Sequence, residues 1–273
     1  MTSRQPDFII IGAMKAGTTS LFRWLEQQPR CWLPSVKEPE TLLRSTTPLA
    51  DYDDLLAPAP PSAVTGEASV RYGDPRHLHE VTAAVNQWLP NTTLVYLVRD
   101  PEARLRSHYR HQRQRGRETR SLADAVADPQ NPYLAHSRYA DVVAGVHQDL
   151  GPERLSVWSF ERLVGDDGSC WKQVLASLDL APAARPDEVY NDSGSKGQFR
   201  PWLQALHDRG MLGWADHLPG PVRRLGRRGI DDSDSARTAL DEAAAAPLPP
   251  FVTEELADQV ERLRALLGDN TIA

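Results

Sequence analysis

The sequence predicts an α/β fold with a central, mostly parallel sheet flanked by helices, and three observations carry that expectation. The segment FIIIGAMKAGTTSL (Phe8 to Leu21) is an apolar run that breaks into a glycine loop and then into a helical pattern. The segment TLVYLV (Thr93 to Val98) is a second apolar run, and Asp100-Pro101 behind it supplies an N-cap and a first helical residue. Strand and helix patterns go on alternating beyond it, which favours parallel strands joined by right-handed crossovers, with helices on both faces.

The elements follow in order. After the first strand-loop-helix unit, Pro48 to Pro61 is rich in Pro, Ala and Asp and is expected to be a connecting loop. Asp74-Pro75 is expected to start a helix with Leu78, Val81, Val85 and Leu89 on one face, and Asp100-Pro101 another that carries Leu105 and Tyr109. Tyr139, Val142, Val143, Val146 and Leu150 predict an amphipathic helix closed by Gly151. A strand over Leu155 to Phe160 and a helix over Cys170 to Leu178 come next. Gly210 to Pro250, with prolines, arginines and an alanine run, reads as an irregular insertion, open between a lid, an acceptor-recognition element, a disordered stretch and a dimer contact. Leu256, Val260, Leu263 and Leu267 place a closing helix over Glu254 to Leu267 that docks on the core. The 273 residues are expected to form a single domain.

Cys31 and Cys170 lie far apart with no partner at metal-ligand spacing, so neither a disulfide framework nor a zinc site is indicated. With no leader pattern and no apolar run long enough to span a bilayer, the expectation is a soluble, cytoplasmic protein without a membrane span. A net charge of −6 argues against general nucleic-acid binding. The balance reverses locally: Arg99 to Arg120 holds eight arginines against three acids, and Arg223, Arg224, Arg227 and Arg228 form a second cluster. Past Arg106 the first stretch reads equally as a solvated face on a surface helix. Arg99 is different, because it ends a buried strand where ligands bind in open α/β sheets.

Gly12 and Gly17 have the spacing of a nucleotide-binding G-x-x-x-x-G loop, in which successive N–H groups and a helix N-terminus face an anion. A Walker loop carries Lys-Ser/Thr after the second glycine. Here Thr18 and Thr19 take those places, and the lysine, Lys15, stands between the glycines. A lysine set there projects beside a group held at the loop mouth.

In G-x-x-K-x-G-T-T the chain resembles the 5'-phosphosulfate loop of sulfotransferases that use 3'-phosphoadenosine 5'-phosphosulfate (PAPS), of the heparan sulfate sulfotransferase type. The resemblance implies a P-loop-like sulfotransferase fold. It places the 5'-phosphate on Lys15, Ala16, Gly17, Thr18 and Thr19, with Lys15 facing the bridging oxygen that gains charge as PAP leaves. VRDPEARLRSHY (Val98 to Tyr109) is similar to the segment that binds the 3'-phosphate, giving Arg99 and Ser107. NDSGSKGQF (Asn191 to Phe199) resembles the late Lys-Gly-Arg loop, giving Lys196 and Gly197, although Gln198 stands where the arginine would be and Arg200 follows. VTGEASVRY (Val64 to Tyr72) resembles the segment with the catalytic glutamate, making Glu67 the candidate base, and Lys37-Glu38-Pro39 resembles the segment whose lysine lies near the transferring group. These matches span about Phe8 to Arg200.

The resemblance implies direct in-line transfer to a hydroxyl of a small-molecule, glycoside or glycolipid acceptor, without metal. Burial of Glu67 would raise its pKa and a nearby Lys15 would lower it. His77 and His79 are the rival bases, and as alternate residues of a helix at most one of them faces the site. Trp24, Trp32 and Tyr72 read as core packing before acceptor contacts, and His108 and His111 as surface or packing residues. A P-loop kinase, an anion- or nucleic-acid-binding protein and a homodimer stay open as alternatives at this level.

Overall fold

The computed structural model describes residues 4–165, 167–187, 198–199, 230–231 and 234–268. Lys196, Gly197, Arg200, Arg223, Arg224, Arg227 and Arg228 therefore lie outside the described residues. The chain divides into two compact units, one made of residues 1–104, 135–191 and 254–273 and the other of residues 105–134 and 192–253.

The first unit is built on five parallel strands, β1 (Phe8–Gly12), β2 (Cys31–Trp32), β3 (Val64–Ala68), β4 (Thr93–Val98) and β5 (Leu155–Ser159), in the order β2-β3-β1-β4-β5. The helices in chain order are α1 (Thr18–Glu26), α2 (Thr41–Arg44), α3 (Pro48–Leu56), α4 (Leu78–Trp88), α5 (Pro101–Gln114) and α6 (Leu122–Ala127). They continue with α7 (Pro132–Ala135), α8 (Tyr139–Leu150), α9 (Phe160–Gly165), α10 (Ser169–Ser177), α11 (Asp234–Ala245) and α12 (Pro250–Leu267). From central β1 the chain crosses to the edge strand β2, returns to β3 and then passes to β4 and β5 on the other side, so the crevice at the carboxyl ends of β1, β3 and β4 is the switch point where open α/β sheets take ligands.

Period-two alternation along buried strands sorts the core into two layers. Phe8, Ile10, Val95 and Leu97 pack with Leu21, Phe22, Trp24 and Leu25 of α1 and Trp171, Val174 and Leu175 of α10. Ile9, Ile11, Leu94, Tyr96 and Val98 pack on the other face with Val81 and Val85 of α4, Val142, Val143 and Val146 of α8, and Leu263 of α12. Trp24 meets Trp171 edge to face with ring centroids 6.0 Å apart, so Trp24 is core. Gly66 in β3 is required by close approach, because a Cβ there would fall 2.3 Å from the Phe8 ring.

Three expectations need correction. Pro48 to Pro61 is not all loop: Pro48 opens α3, and Tyr52 and Leu56 are completely buried one helical turn apart. The helix expected from Asp74-Pro75 starts only at Leu78. The Asp74 carboxylate accepts from the Arg76 backbone and guanidinium and so holds a turn ahead of the helix. The stretch 210–250 contains α11, so it is not irregular throughout.

In the second unit, the solvated-arginine reading fails at Arg110, which is buried and paired with Asp241 of α11 at 2.6 Å. Arg106 donates to the carbonyls of Ala244 and Ala246 and caps the C-terminus of α11. His108 is a packing residue, edge-on to Tyr133 at 5.0 Å. Burial works to raise the pKa of Glu118, but the Arg120 side chain and backbone and the Tyr133 hydroxyl outweigh it and hold the carboxyl down at about 2. Gln198–Phe199 and Ile230–Asp231 form a short antiparallel pair.

Candidate active site

The loop after β1 is shaped by local backbone chemistry. The Ala13 N–H donates to the Leu97 carbonyl at 2.8 Å, and the Ala16 N–H donates to the Ala13 carbonyl at 3.1 Å, which closes a turn. Lys15 and Gly17 have φ of 69° and 93° on either side of Ala16. Alternation of right- and left-handed backbone turns successive N–H groups toward one side, the geometry of an anion nest. Gly17 is the N-cap of α1 and brings no side-chain acceptor, and no acid stands in the first helical turn. The amides of Gly17, Thr18, Thr19 and Ser20 precede the first intrahelical bonds, so the positive end of the helix is presented at the loop. A Cβ on Gly17 would lie 2.3 Å from the Phe160 ring. Both the backbone conformation and this contact therefore demand glycine there.

Arg99 follows β4 directly, and its guanidinium carbon lies 5.8 Å from the centroid of the same Phe160 ring. Its Nε is 3.9 Å from Glu161, whose carboxylate also accepts the Asp100 N–H at 3.0 Å. The Asp100 side chain accepts from the Ala103 N–H at 2.7 Å, the N-cap bond expected for Asp-Pro. Phe160 and Glu161 went unforeseen. Their signal was position, since they follow the strand that pairs with β4.

Arg104 was also missed as a site element. It has no exposed surface, and its guanidinium donates to Ser137 Oγ at 2.8 Å and to the Met14 carbonyl at 3.4 Å. Burial pulls its pKa down to about 10, with Arg99 acting in the same direction and Tyr139 and Tyr96 opposing. It ties the glycine loop to the segment ahead of α8.

Glu67 lies in β3 level with Ile9 of β1, and its carboxylate faces the layer opposite α1. It has no exposed surface. The Tyr52 hydroxyl donates to Oε1 at 2.9 Å and the Ser69 hydroxyl to Oε2 at 2.7 Å. Burial drives its pKa up, with a smaller push from Glu38, while the hydroxyls of Ser69, Tyr52 and Tyr72 pull it down, and the balance stands at about 7. The counterweights are thus hydroxyls, where the sequence suggested Lys15. Tyr72 is completely buried and belongs to this cluster.

The other candidates fall as follows. Lys37 is half-buried and ion-paired with Glu38, whose carboxylate also accepts the Val70 N–H at 2.8 Å. Ser107 is buried and belongs to the second unit. His77 lies 3.2 Å from Arg71 and is the residue before α4, whereas the His79 side chain is 92% exposed and stands 3.5 Å from Asp149. Among the described residues no helix is long and apolar enough to cross a membrane, and no group of three or more His, Cys, Asp or Glu is set to hold a metal ion.

Residues 5–189 match the family model described as "Sulfotransferase domain". Among solved structures, a sulfotransferase from Alicyclobacillus acidocaldarius is similar at 21% identity, with 97% of this chain and 96% of that chain covered and a TM-score of 0.65. The sulfotransferase domain of the Synechococcus PCC 7002 olefin synthase aligns at 14% identity over 96% of each chain, with a TM-score of 0.52. A mouse sulfotransferase complexed with PAP aligns at 13% identity over 96% of this chain and 85% of that one, with a TM-score of 0.51. No curated protein matches the chain significantly in sequence.

Proposed function

Because the chain belongs to the sulfotransferase domain family and is a sulfotransferase, we propose that it transfers the sulfuryl group of PAPS to a hydroxyl of a small-molecule, glycoside or glycolipid acceptor, with Glu67 as base. The observation that carries this reading is the glycine loop: a helix N-terminus without an acceptor of its own, approached by the left-handed pair Lys15 and Gly17. That donor set suits an anion, and the family uses PAPS.

PAPS supplies an activated sulfuryl group on a phosphosulfate linkage. The amides of Gly17, Thr18 and Thr19 hold its 5'-phosphate, and Lys15 stabilises charge on the oxygen that parts from sulfur, an interaction that strengthens only as that bond breaks. Arg99, with Ser107, Lys196 and Gly197, holds the 3'-phosphate, and the guanidinium fork gives this contact its direction. Phe160 acts as a spacer, filling the room a side chain at residue 17 would take and lying against Arg99. Glu67 takes the acceptor's hydroxyl proton as that oxygen bonds to sulfur. A carboxyl held at about 7 accepts a proton far more readily than an exposed glutamate. Lys37 stands in this reading beside the transferring group. No metal takes part, and the protein acts in the cytoplasm, alone or as a homodimer.

The test is incubation with sulfur-labelled PAPS and a panel of hydroxyl acceptors, with and without chelator, for wild type, Lys15→Ala and Glu67→Ala. Label transfer that survives chelation and is lost in both variants supports the assignment. Full activity in both variants overturns it.

A further inference from the structure

Building on the reading of Glu67 as base, we propose that Tyr52 is a positioning residue that, with Ser69, holds the Glu67 carboxylate in one orientation and favours its ionised form by donating to its two oxygens. An ionised carboxylate only accepts hydrogen bonds, and its two oxygens offer about four lone-pair sites. Tyr52 and Ser69 fill one site on each oxygen and fix the plane of the group, and with Tyr72 as a third donor one direction is left for an acceptor hydroxyl.

The donors are themselves oriented. Ser69 Oγ accepts the Glu40 N–H at 3.0 Å, so its single proton is directed to Glu67. Tyr72 Oη accepts the Leu42 N–H at 2.9 Å, and its hydroxyl acts on Glu67 in the same sense. Protonation of Glu67 would turn an acceptor into a donor, and one of these hydroxyls would have to give way. The acidic groups around this cluster, Glu38 and Glu40, come from the segment before α2. Glu38 opposes the anion but is engaged by Lys37 and the Val70 N–H, and Glu40 is engaged by Arg71 and Arg44. From β1 the neighbour in register is apolar, Ile9.

Removing a hydroxyl that donates to the ionised carboxylate raises its midpoint, whereas a hydroxyl that only packs beside the group would leave the midpoint where it is, and this separates the two roles. Infrared titration of the full chain, with Glu67→Gln as the subtraction reference, isolates the carboxyl band of Glu67 without any acceptor. In Tyr52→Phe, which keeps the ring, the midpoint should move up by about one pH unit, and Ser69→Ala should move it in the same direction. With an acceptor found in the labelled-PAPS panel, the acid limb of kcat should follow the same displacement, cutting kcat about fivefold at neutrality and about tenfold well below it. PAP affinity measured by calorimetry should stay at the wild-type value and reports that the variants are folded. An unmoved midpoint in both folded variants overturns the inference. Sulfuryl transfer that persists in Glu67→Gln overturns the base reading instead, and the titration still decides what Tyr52 does to the carboxyl.

Discussion

The glycine loop and the Glu67 pocket lie beyond and within adjacent strands of one sheet, yet they are made in opposite ways. The loop is a backbone device: its donors are amides, its shape comes from left-handed residues at 15 and 17, and its neighbours in sequence are its neighbours in space. The pocket is a side-chain device: a carboxylate with no exposed surface, met by hydroxyls from α3, from the residue after β3 and from the turn beyond it. An amide nest needs no titration to attract an anion. A buried carboxyl has a strength that is the small difference between a large desolvation cost and several hydrogen bonds. The loop should therefore tolerate changes in pH and respond to changes in backbone, and the pocket should do the reverse.

The sharpest break between the two is Glu67→Gln, which should lower kcat by about 10²- to 10⁴-fold while leaving PAP affinity alone. Steady-state rates set beside calorimetric PAP titrations check it, and a parallel loss of affinity would merge the two regions into one. Next in size is Lys15→Ala, expected to cost about 10²- to 10³-fold in kcat with no change in the pH midpoint of the reaction. A pH-rate profile displaced in this variant would mean that the lysine acts through Glu67 after all.

The third effect is on stability. Glu67 is raised from 4.5 to about 7 in the folded chain. Between those values the folded state holds a proton that the unfolded state has released, so stability falls as pH rises through this window and stays lowered above it. The loss amounts to about 3 kcal/mol, at about 1.4 kcal/mol per pH unit of displacement. Glu67→Gln does not titrate, so its unfolding free energy relative to wild type should improve by about that much between roughly pH 4 and pH 8. Urea unfolding at the two pH values reads this directly, and a pH-independent difference would remove the buried titrating carboxyl from the account. Smallest is Arg99→Ala, for which calorimetry should show PAP affinity weakened by about tenfold, as expected for one half-buried charge-assisted contact. An unchanged affinity would take the end of β4 out of the donor site.

Much of this architecture was legible because its causes are local. Phe8 to Thr19 reads as strand, loop and helix from glycine spacing and apolar content, and Asp100-Pro101 from capping chemistry that the Asp100–Ala103 bond reproduces. The α3 helix was hidden by a composition of Pro, Ala and Asp, although Pro48 in the first turn and the Tyr52–Leu56 spacing were its signals. With α3 read as loop, Tyr52 had no reason to be near Glu67. Arg104 was missed and Arg110 misread for a related reason: charge density past Arg106 suggested solvent, and nothing local marks Ser137 and Asp241, more than 30 and 130 residues away, as the partners that let these guanidinium groups be buried.

The sequence by itself determined the strand-loop-helix cradle and the place of Arg99 at a strand end, which follow from dihedral preferences and capping over about ten residues, and a mostly parallel sheet, which follows from the alternation of strand and helix patterns. Only the tertiary structure decided what kind of acid Glu67 is. Its environment is assembled from Tyr52, Ser69 and Tyr72 around a strand closed to water, and the free energy of an ion depends on everything within a few ångströms of it, whichever part of the chain that comes from.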